Sequence, residues 1–412
     1  MGINSLNPVQ LHQMLKNSIL ITFVVLTFFP SSILALSSYS LRVSDNKIIQ
    51  IDGSQFIPYG ISIYGGLEDV DFTDNLPNID AQIKAAVTYW HANTIRLQVS
   101  EDNLFSNINK KLGYNTKFMK ELQREVNLAR SLNQIVVIND QTEFTSNFPL
   151  PTVKTVKFWK QISSVFGNNP YIIYDLFNEP RLDSLKLSNI SKRHSVMLGN
   201  LSVNKANYSN FVKRNNHPKQ SVWSIWKYGG IYNGINYIGE QALVDDIRSW
   251  KVNNIIWVEG PFWAQTLPSK NNLLKGANIV YSFHHINLNN PKSWNFISRL
   301  AQIRPVVDGE WAQYQSPWQE CFVQAPTQTP NYLKFLNIYH IGLIAWSLQP
   351  GSLVKGSTSI VPKNNNTESD TSNPANLSIP SSFSNDYECN NQFGQGAGQL
   401  IQQYFKVNSK QL

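Results

Sequence analysis

Short apolar runs recur along this chain, each broken by Gly, Pro or a polar cluster. They cover residues 56–63, 93–99, 134–139, 171–177, 254–258, 278–283, 304–307 and 342–346. Runs of this length and ending read as strands buried on both faces, the kind found in parallel sheets. Segments with apolar residues at threes and fours lie between them, at 80–91, 115–133, 153–166, 237–252 and 293–302, and a last one covers 396–405. Such spacing predicts helices with one face on a core, and Pro151 just before the third is suited to a helix start. Ahead of all this, residues 41–57 alternate and turn at Asp45-Asn46 and Asp52-Gly53, a hairpin running into a strand.

Eight strands alternating with helices predict an α/β fold, a single (β/α)8 TIM barrel with an N-terminal hairpin. The spacing between strands is regular except in two places. One insertion, about residues 181–221, has little apolar periodicity, and a second, about 356–385, is rich in Ser, Asn, Thr and Pro and reads as a surface loop. Both hang from strand C-termini. No repeat and no linker divides the chain, so one domain is expected.

Polar residues at strand ends carry the chemistry. Glu179 closes the run Tyr171 to Pro180, and Glu310 closes Arg304 to Trp311. A β/α barrel keeps its active site at the strand C-termini, and two facing carboxylates are what hydrolysis of a glycosidic bond requires. Glu179 is the candidate acid, then base, and Glu310 the candidate nucleophile. The acid has to stay protonated near neutral pH, and the nucleophile calls for a nearby cation. Arg96 fits that need, because it sits inside an otherwise apolar strand where an unpaired charge is costly.

The wording Leu-Phe-Asn-Glu-Pro at 176–180 resembles glycoside hydrolase family 5, the cellulase family of a large (β/α)8 hydrolase clan. Similarity continues through Trp226-Lys-Tyr-Gly-Gly230, through the stretch from Tyr237 to Arg248, and through Val258-Glu-Gly-Pro-Phe-Trp-Ala264. It covers nearly everything after the leader, and only the two insertions look unrelated, so residues 37–412 are expected to form one hydrolase domain. The resemblance implies that Glu179 is the proton donor, that Arg96 lies near the nucleophile and that Asn178 bonds the sugar 2-hydroxyl. It also implies that His284 lines the site and that Trp346 forms a floor beneath the sugar, with Trp263 at a neighbouring subsite. Two places depart from the family pattern. Ile286 stands where a Tyr is usual, leaving Tyr281 or His285 as substitutes, and Gln141 stands in the place of a His. Asp140 and Glu143 are rival carboxylates without the strand-end motif.

Composition adds function classes to exclude. With a formal charge of +8, a nucleic-acid partner has to be considered. Between Arg181 and Val222, however, eight Lys or Arg stand against the single acid Asp183, a net of +7 in one insertion, and the rest is near neutral. A nucleic-acid function is therefore not expected. The uncharged stretch 18–36 follows Lys16 and makes residues 1–36 either a signal peptide or an uncleaved anchor, with Pro30 and Ser31-Ser32 favouring cleavage. The expectation is a secreted monomer; the alternative is a membrane anchor with the catalytic domain outside. Two cysteines, Cys321 and Cys389, are expected to pair in that setting, with unpaired thiols as the alternative, and without a His cluster beside them they suggest no metal site. Sequons at Asn189, Asn200, Asn207, Asn365 and Asn376 lie within the insertions. The reading is a cofactor-independent and metal-independent endo-acting β-glycanase on β-1,4-glucan. Mannanase, glycan-specific glycosidase or transglycosylase activity, or non-hydrolytic carbohydrate binding, remain as alternatives.

Overall fold

A computed structural model describes residues 41–68, 76–142, 149–182, 222–232, 235–286, 291–312, 325–349, 352–355, 372–384 and 396–409. Residues 1–40, Cys321, Cys389, Glu143, nearly all of the first insertion and residues 356–371 and 385 of the second fall outside these residues, as do four of the five sequons. Among the described residues, no helix is long and apolar enough to cross a membrane.

Eight parallel strands close into a barrel: β4 (Tyr59–Ile63), β5 (Thr94–Val99), β6 (Ile135–Asp140), β7 (Ile172–Asp175), β10 (Ile256–Glu259), β11 (Ile279–Ile286), β12 (Val306–Ala312) and β13 (Gly342–Ala345). Every apolar run read from the sequence supplies one of them. The first run splits, because β3 (Gln55–Phe56) leaves it to join β1 (Arg42–Ser44) and β2 (Lys47–Ile49) in a small antiparallel sheet. Asp45 at φ 53° and Gly53 at φ 86° make the two turns of that sheet. Its Ile48 and Phe56 join Ile135, Val137, Ile173, Ile255, Trp257, Val280, Val307 and Ile344 in a cluster within the barrel, so the hairpin closes the barrel's lower end.

Alternation along each strand explains why the opposite end is polar. Residues 135, 137 and 139, or 255, 257 and 259, share one face of their strands. The inward face is Ile135, Val137, then Asn139 on β6; Ile173, then Asp175 on β7; Ile255, Trp257, then Glu259 on β10; and Val280, Ser282, then His284 on β11. Apolar layers below thus give way to charged groups above. The outward faces pack under the helices in the larger core cluster.

The helices are α1 (Leu76–Thr88), α2 (Glu101–Leu104), α3 (Thr116–Ser131), α4 (Val153–Phe166), α5 (Val222–Tyr228), α6 (Glu240–Ser249), α7 (Asn295–Ala301), α8 (Ala325–Tyr339) and α9 (Gly398–Asn408). Local chemistry sets their starts. Asn115 accepts hydrogen bonds from the Lys117 and Phe118 amides at the head of α3, and Thr152 and Thr155 form a capping box at α4. Two parts of the sequence reading change. Residues 237–239 lead into α6 from a hairpin of β8 (Gly229–Tyr232) and β9 (Ile235–Ile238) instead of beginning the helix. Helix α8 was not foreseen: Pro330 inside it removes a backbone donor and obscures the helical pattern.

Helix α8 fastens the barrel at β12. Its Tyr332 hydroxyl donates to Asp308 Oδ2 at 2.6 Å, the His285 amide donates to Oδ1 at 3.1 Å, and the His285 ring stacks on Tyr332 at 3.9 Å. Burial, eased only in part by these bonds, pushes the Asp308 carboxyl up to about 7 from an ordinary 3.8. The folded state therefore holds this proton more tightly than the unfolded chain. The associated stability is complete below about pH 4 and is lost as pH rises through 7. An Asp308→Asn variant can keep both contacts without a titrating group. It should melt at the wild-type temperature near pH 4 and above it at pH 8, by as much as about 4 kcal/mol in stability. Parallel melting-temperature profiles for the two proteins would contradict this.

Candidate active site

Arg96 organises the upper layer of the barrel. Fully buried on β5, it donates from Nε to Asp175 Oδ2 at 3.1 Å, from Nη1 to Glu310 Oε2 at 2.9 Å, and from Nη2 to Asn178 Oδ1 at 2.7 Å and Glu259 Oε1 at 3.2 Å. Burial alone would discharge the guanidinium, but Asp175, Glu310 and Glu259 together raise its pKa and keep it charged. The same Asp175 oxygen also accepts from Asn139 Nδ2 at 3.0 Å.

Glu179 and Glu310 approach each other over this layer. Glu179 follows β7 in a left-handed conformation, φ 47°, and its amide donates to Glu259 Oε2 at 2.6 Å. Glu310 lies on β12 in register with His284 on β11. Gly309 eases this arrangement: a Cβ there would lie 2.1 Å from Ser282 Oγ, so any other residue would force that hydroxyl to turn away where the register shifts. His284 Nδ1 meets Glu179 Oε1 at 2.9 Å, its Nε2 meets Glu259 Oε1 at 3.0 Å, and Glu310 Oε2 is 4.0 Å from Nδ1. One donor atom from each of Glu179, His284 and Glu310 falls within 4.8 Å of the others. That triangle has the donor types and size to hold a divalent ion, yet each atom is already engaged with a neighbour, Glu310 with a guanidinium.

Charge settles unevenly among these groups. Burial raises the Glu179 carboxyl; contact with His284 opposes this, while Glu310 and Glu259 add to the rise. Burial also works to raise Glu259, but His284 and Arg96 outweigh it and hold Glu259 below the usual carboxylate range. The His284 ring, which burial would discharge, is raised well above its ordinary value by Glu259 and Glu310 and by its bonds to Glu179 and Glu259. Asp175 reaches about 7 through burial and Glu259, against the pull of Arg96. Glu240, at the head of α6, is raised well above the ordinary value by burial, and neither of its oxygens has a hydrogen-bond partner among the described residues.

The remaining candidates sit around this centre. Trp346 follows β13, partly buried, with its ring edge-on to Tyr64 at 5.8 Å. Trp263 belongs to a turn in which Phe262, Trp263 and Ala264 all have positive φ, at 64°, 58° and 54°. Three consecutive left-handed residues with side chains are costly, and such strain gathers at functional sites. The turn is held by Trp263 N–H to Pro180 O at 3.2 Å and His284 N–H to Ala264 O at 2.9 Å, which places the indole beside the Glu179 segment, with Arg181 over its ring at 5.2 Å. Gln141 is held at the end of β6, where its Oε1 accepts from Gln98 Nε2 at 2.8 Å.

Other residues raised by the sequence go elsewhere. Tyr281 faces the outer layer and accepts the Leu274 amide at 2.8 Å, and His285 stacks on Tyr332, so neither takes the place left by Ile286. Asp140 faces outward and pairs with Thr142 and Glu101, away from the barrel axis. Glu259, Asp175 and Tyr64 were missed. A period-2 reading of 255, 257 and 259 would have placed Glu259 on the inward face of its strand.

Buried carboxylates, an arginine and a histidine at the strand C-termini of a closed parallel barrel suit the hydrolysis of glycosidic bonds, and the chain is a glycoside hydrolase. The chain belongs to glycosyl hydrolase family 5, the cellulase family, whose model matches residues 60–352. Solved structures repeat the fold. A β-glucanase from Saccharophagus degradans, determined with cellotetraose, is 18% identical with a TM-score of 0.55, covering 90% of this chain and 94% of that one. The catalytic domain of a Thermobifida fusca endoglucanase, also with cellotetraose, is 14% identical with a TM-score of 0.53, covering 90% and 98%. No curated protein sequence matches the chain.

Proposed function

We propose that this hydrolase cleaves internal β-1,4-glucan bonds with retention of configuration, using Glu179 as acid and then base and Glu310 as nucleophile. The observation that carries the reading is the approach of the two carboxylates, with oxygens inside 4.8 Å. Retaining enzymes hold their carboxyl groups about 5 to 5.5 Å apart, whereas inverting enzymes leave about 6.5 to 9.5 Å for a water. In the first step a Glu310 oxygen attacks the anomeric carbon while the Glu179 proton passes to the departing glycosidic oxygen. Water, deprotonated by Glu179, then releases the sugar from Glu310.

Unequal charge supports these roles. Glu179 is raised toward the protonated form by burial, as a general acid needs. Arg96 Nη1 lies against the attacking carboxylate, and Asn178, whose Oδ1 accepts from Arg96, is the residue that bonds the sugar 2-hydroxyl in this reading. Trp346 supplies a flat apolar floor beneath the sugar, and Trp263 serves a neighbouring subsite. The leader reading carries forward with it: the protein acts outside the cell, on polysaccharide.

Product release distinguishes substrates. Reducing ends should appear from carboxymethylcellulose, and faster than from mannan or xylan; release from mannan alone would replace the glucan assignment, and oligosaccharide binding without release would overturn hydrolysis.

A further inference from the structure

We propose that Glu259 is a positioning residue for the acid/base, fixing both the backbone of Glu179 and the tautomer of His284 that faces it. The inference rests on the acid/base role of Glu179 given above. Three donors converge on this one carboxylate. Oε2 takes the Glu179 amide at 2.6 Å, while Oε1 takes Arg96 Nη2 at 3.2 Å and the His284 Nε2 at 3.0 Å. Glu259 is itself buried, and its carbonyl accepts the Trp226 indole at 2.8 Å, so its strand end is held too.

Each contact has a consequence for proton transfer. A non-glycine residue at φ 47° is disfavoured, and a charge-assisted bond to its amide offsets that cost and aims the Glu179 side chain. An ionised carboxylate only accepts hydrogen bonds, so Nε2 carries a proton whether the His284 ring is neutral or charged. Nδ1 is then left to Glu179. In a neutral ring it accepts from the protonated acid, and in a charged ring it donates to the ionised carboxylate, across the same 2.9 Å contact. The other charged groups around Glu259 and His284 do not duplicate this. Arg96 has no acceptor, Asp175 is turned to Arg96 and Asn139, Glu310 stands 4.0 Å from Nδ1, Asp308 faces Tyr332, and Glu240 bonds neither ring nitrogen among the described residues.

Glutamine at 259 keeps the shape but must turn its NH2 toward one of the three donors. Facing the Glu179 amide it loosens the acid's backbone; facing Arg96 and His284 it forces the ring to the opposite tautomer. The test is kcat/KM of Glu259→Gln on two substrates, cellotetraose and 2,4-dinitrophenyl β-cellobioside, whose leaving group departs without protonation. We expect a loss of about 10²-fold on cellotetraose, the scale of general acid catalysis, and under about 5-fold on the aryl glycoside. Equal losses on both substrates, or no loss on either, would overturn the proposal. Glu259→Asp, shorter by one methylene, should show the same selective loss and serves if the Gln variant folds poorly. The nitrogen-15 spectrum of the His284 ring, assigned by its absence in His284→Asn, reads the tautomer without any activity. A protected Nε2–H in the wild type that is lost in Glu259→Gln supports the role, and an unchanged ring contradicts it. A wild type that cleaves neither substrate refutes the hydrolase mechanism, and the ring spectrum still decides what Glu259 does.

Discussion

Glu310→Gln should reduce hydrolysis of carboxymethylcellulose by about 10⁴-fold or more, the scale on which enzymes lose rate when the nucleophile of a covalent mechanism is removed. The amide can still accept from Arg96 Nη1, now at 2.9 Å from Glu310 Oε2, and it fills the same volume, so melting should change little. Glu179→Gln should behave differently. Loss of the proton donor costs about 10² to 10⁴-fold on substrates with poor leaving groups and much less on aryl glycosides. Steady-state rates on both substrate types separate the two roles. Near-wild-type activity in either variant on carboxymethylcellulose would remove that residue from the mechanism.

Replacing Arg96 with Met should cause the largest loss of stability in the molecule. The side chain is fully buried and contacts Asp175, Glu259 and Glu310, so its removal leaves a cluster of carboxylates without their shared cation. Breaking a buried ion pair from one side costs about 3–5 kcal/mol. The deficit should depend on pH in a definite sense. Without the cation Asp175 rises further above its unfolded value, and Glu259 loses one of the partners that hold it low. The folded state then binds more protons, and stability falls as pH increases. Denaturant unfolding at pH 5 and pH 8 should therefore show a larger gap from wild type at pH 8. A gap that is absent, or larger at pH 5, would mean that Arg96 does not hold this network together.

Much of the fold could be read from the sequence because parallel barrel strands are buried on both faces. Stretches such as 135–138 and 171–174 are wholly apolar or aromatic, and polar residues follow directly where they end. What failed to show was structure without that signature. Helix α8 contains Pro330 and has a weak apolar stripe. The β8–β9 hairpin lies in a stretch whose Gly residues look like plain turn signals. At the site, Glu179, Glu310, Arg96, Asn178 and His284 were visible as polar residues interrupting or ending apolar runs, and the structure brings all five together. Glu259 was hidden because it falls just past the apolar run 254–258, against Gly260-Pro261, where a polar residue reads as the start of a turn. Asp175 was hidden by Glu179, four residues on in the same run. Partners such as Tyr332 for Asp308 depend on which strand faces which helix, and no local pattern carries that.

Retention of anomeric configuration tests the central claim most directly, because it follows from the short distance between Glu179 and Glu310 and from nothing else in the site. Proton NMR of the first sugar released from cellotetraose, recorded before mutarotation, should show the β-anomer accumulating first. An α-anomer appearing first would mean direct attack by water, and Glu310 could not then be the nucleophile.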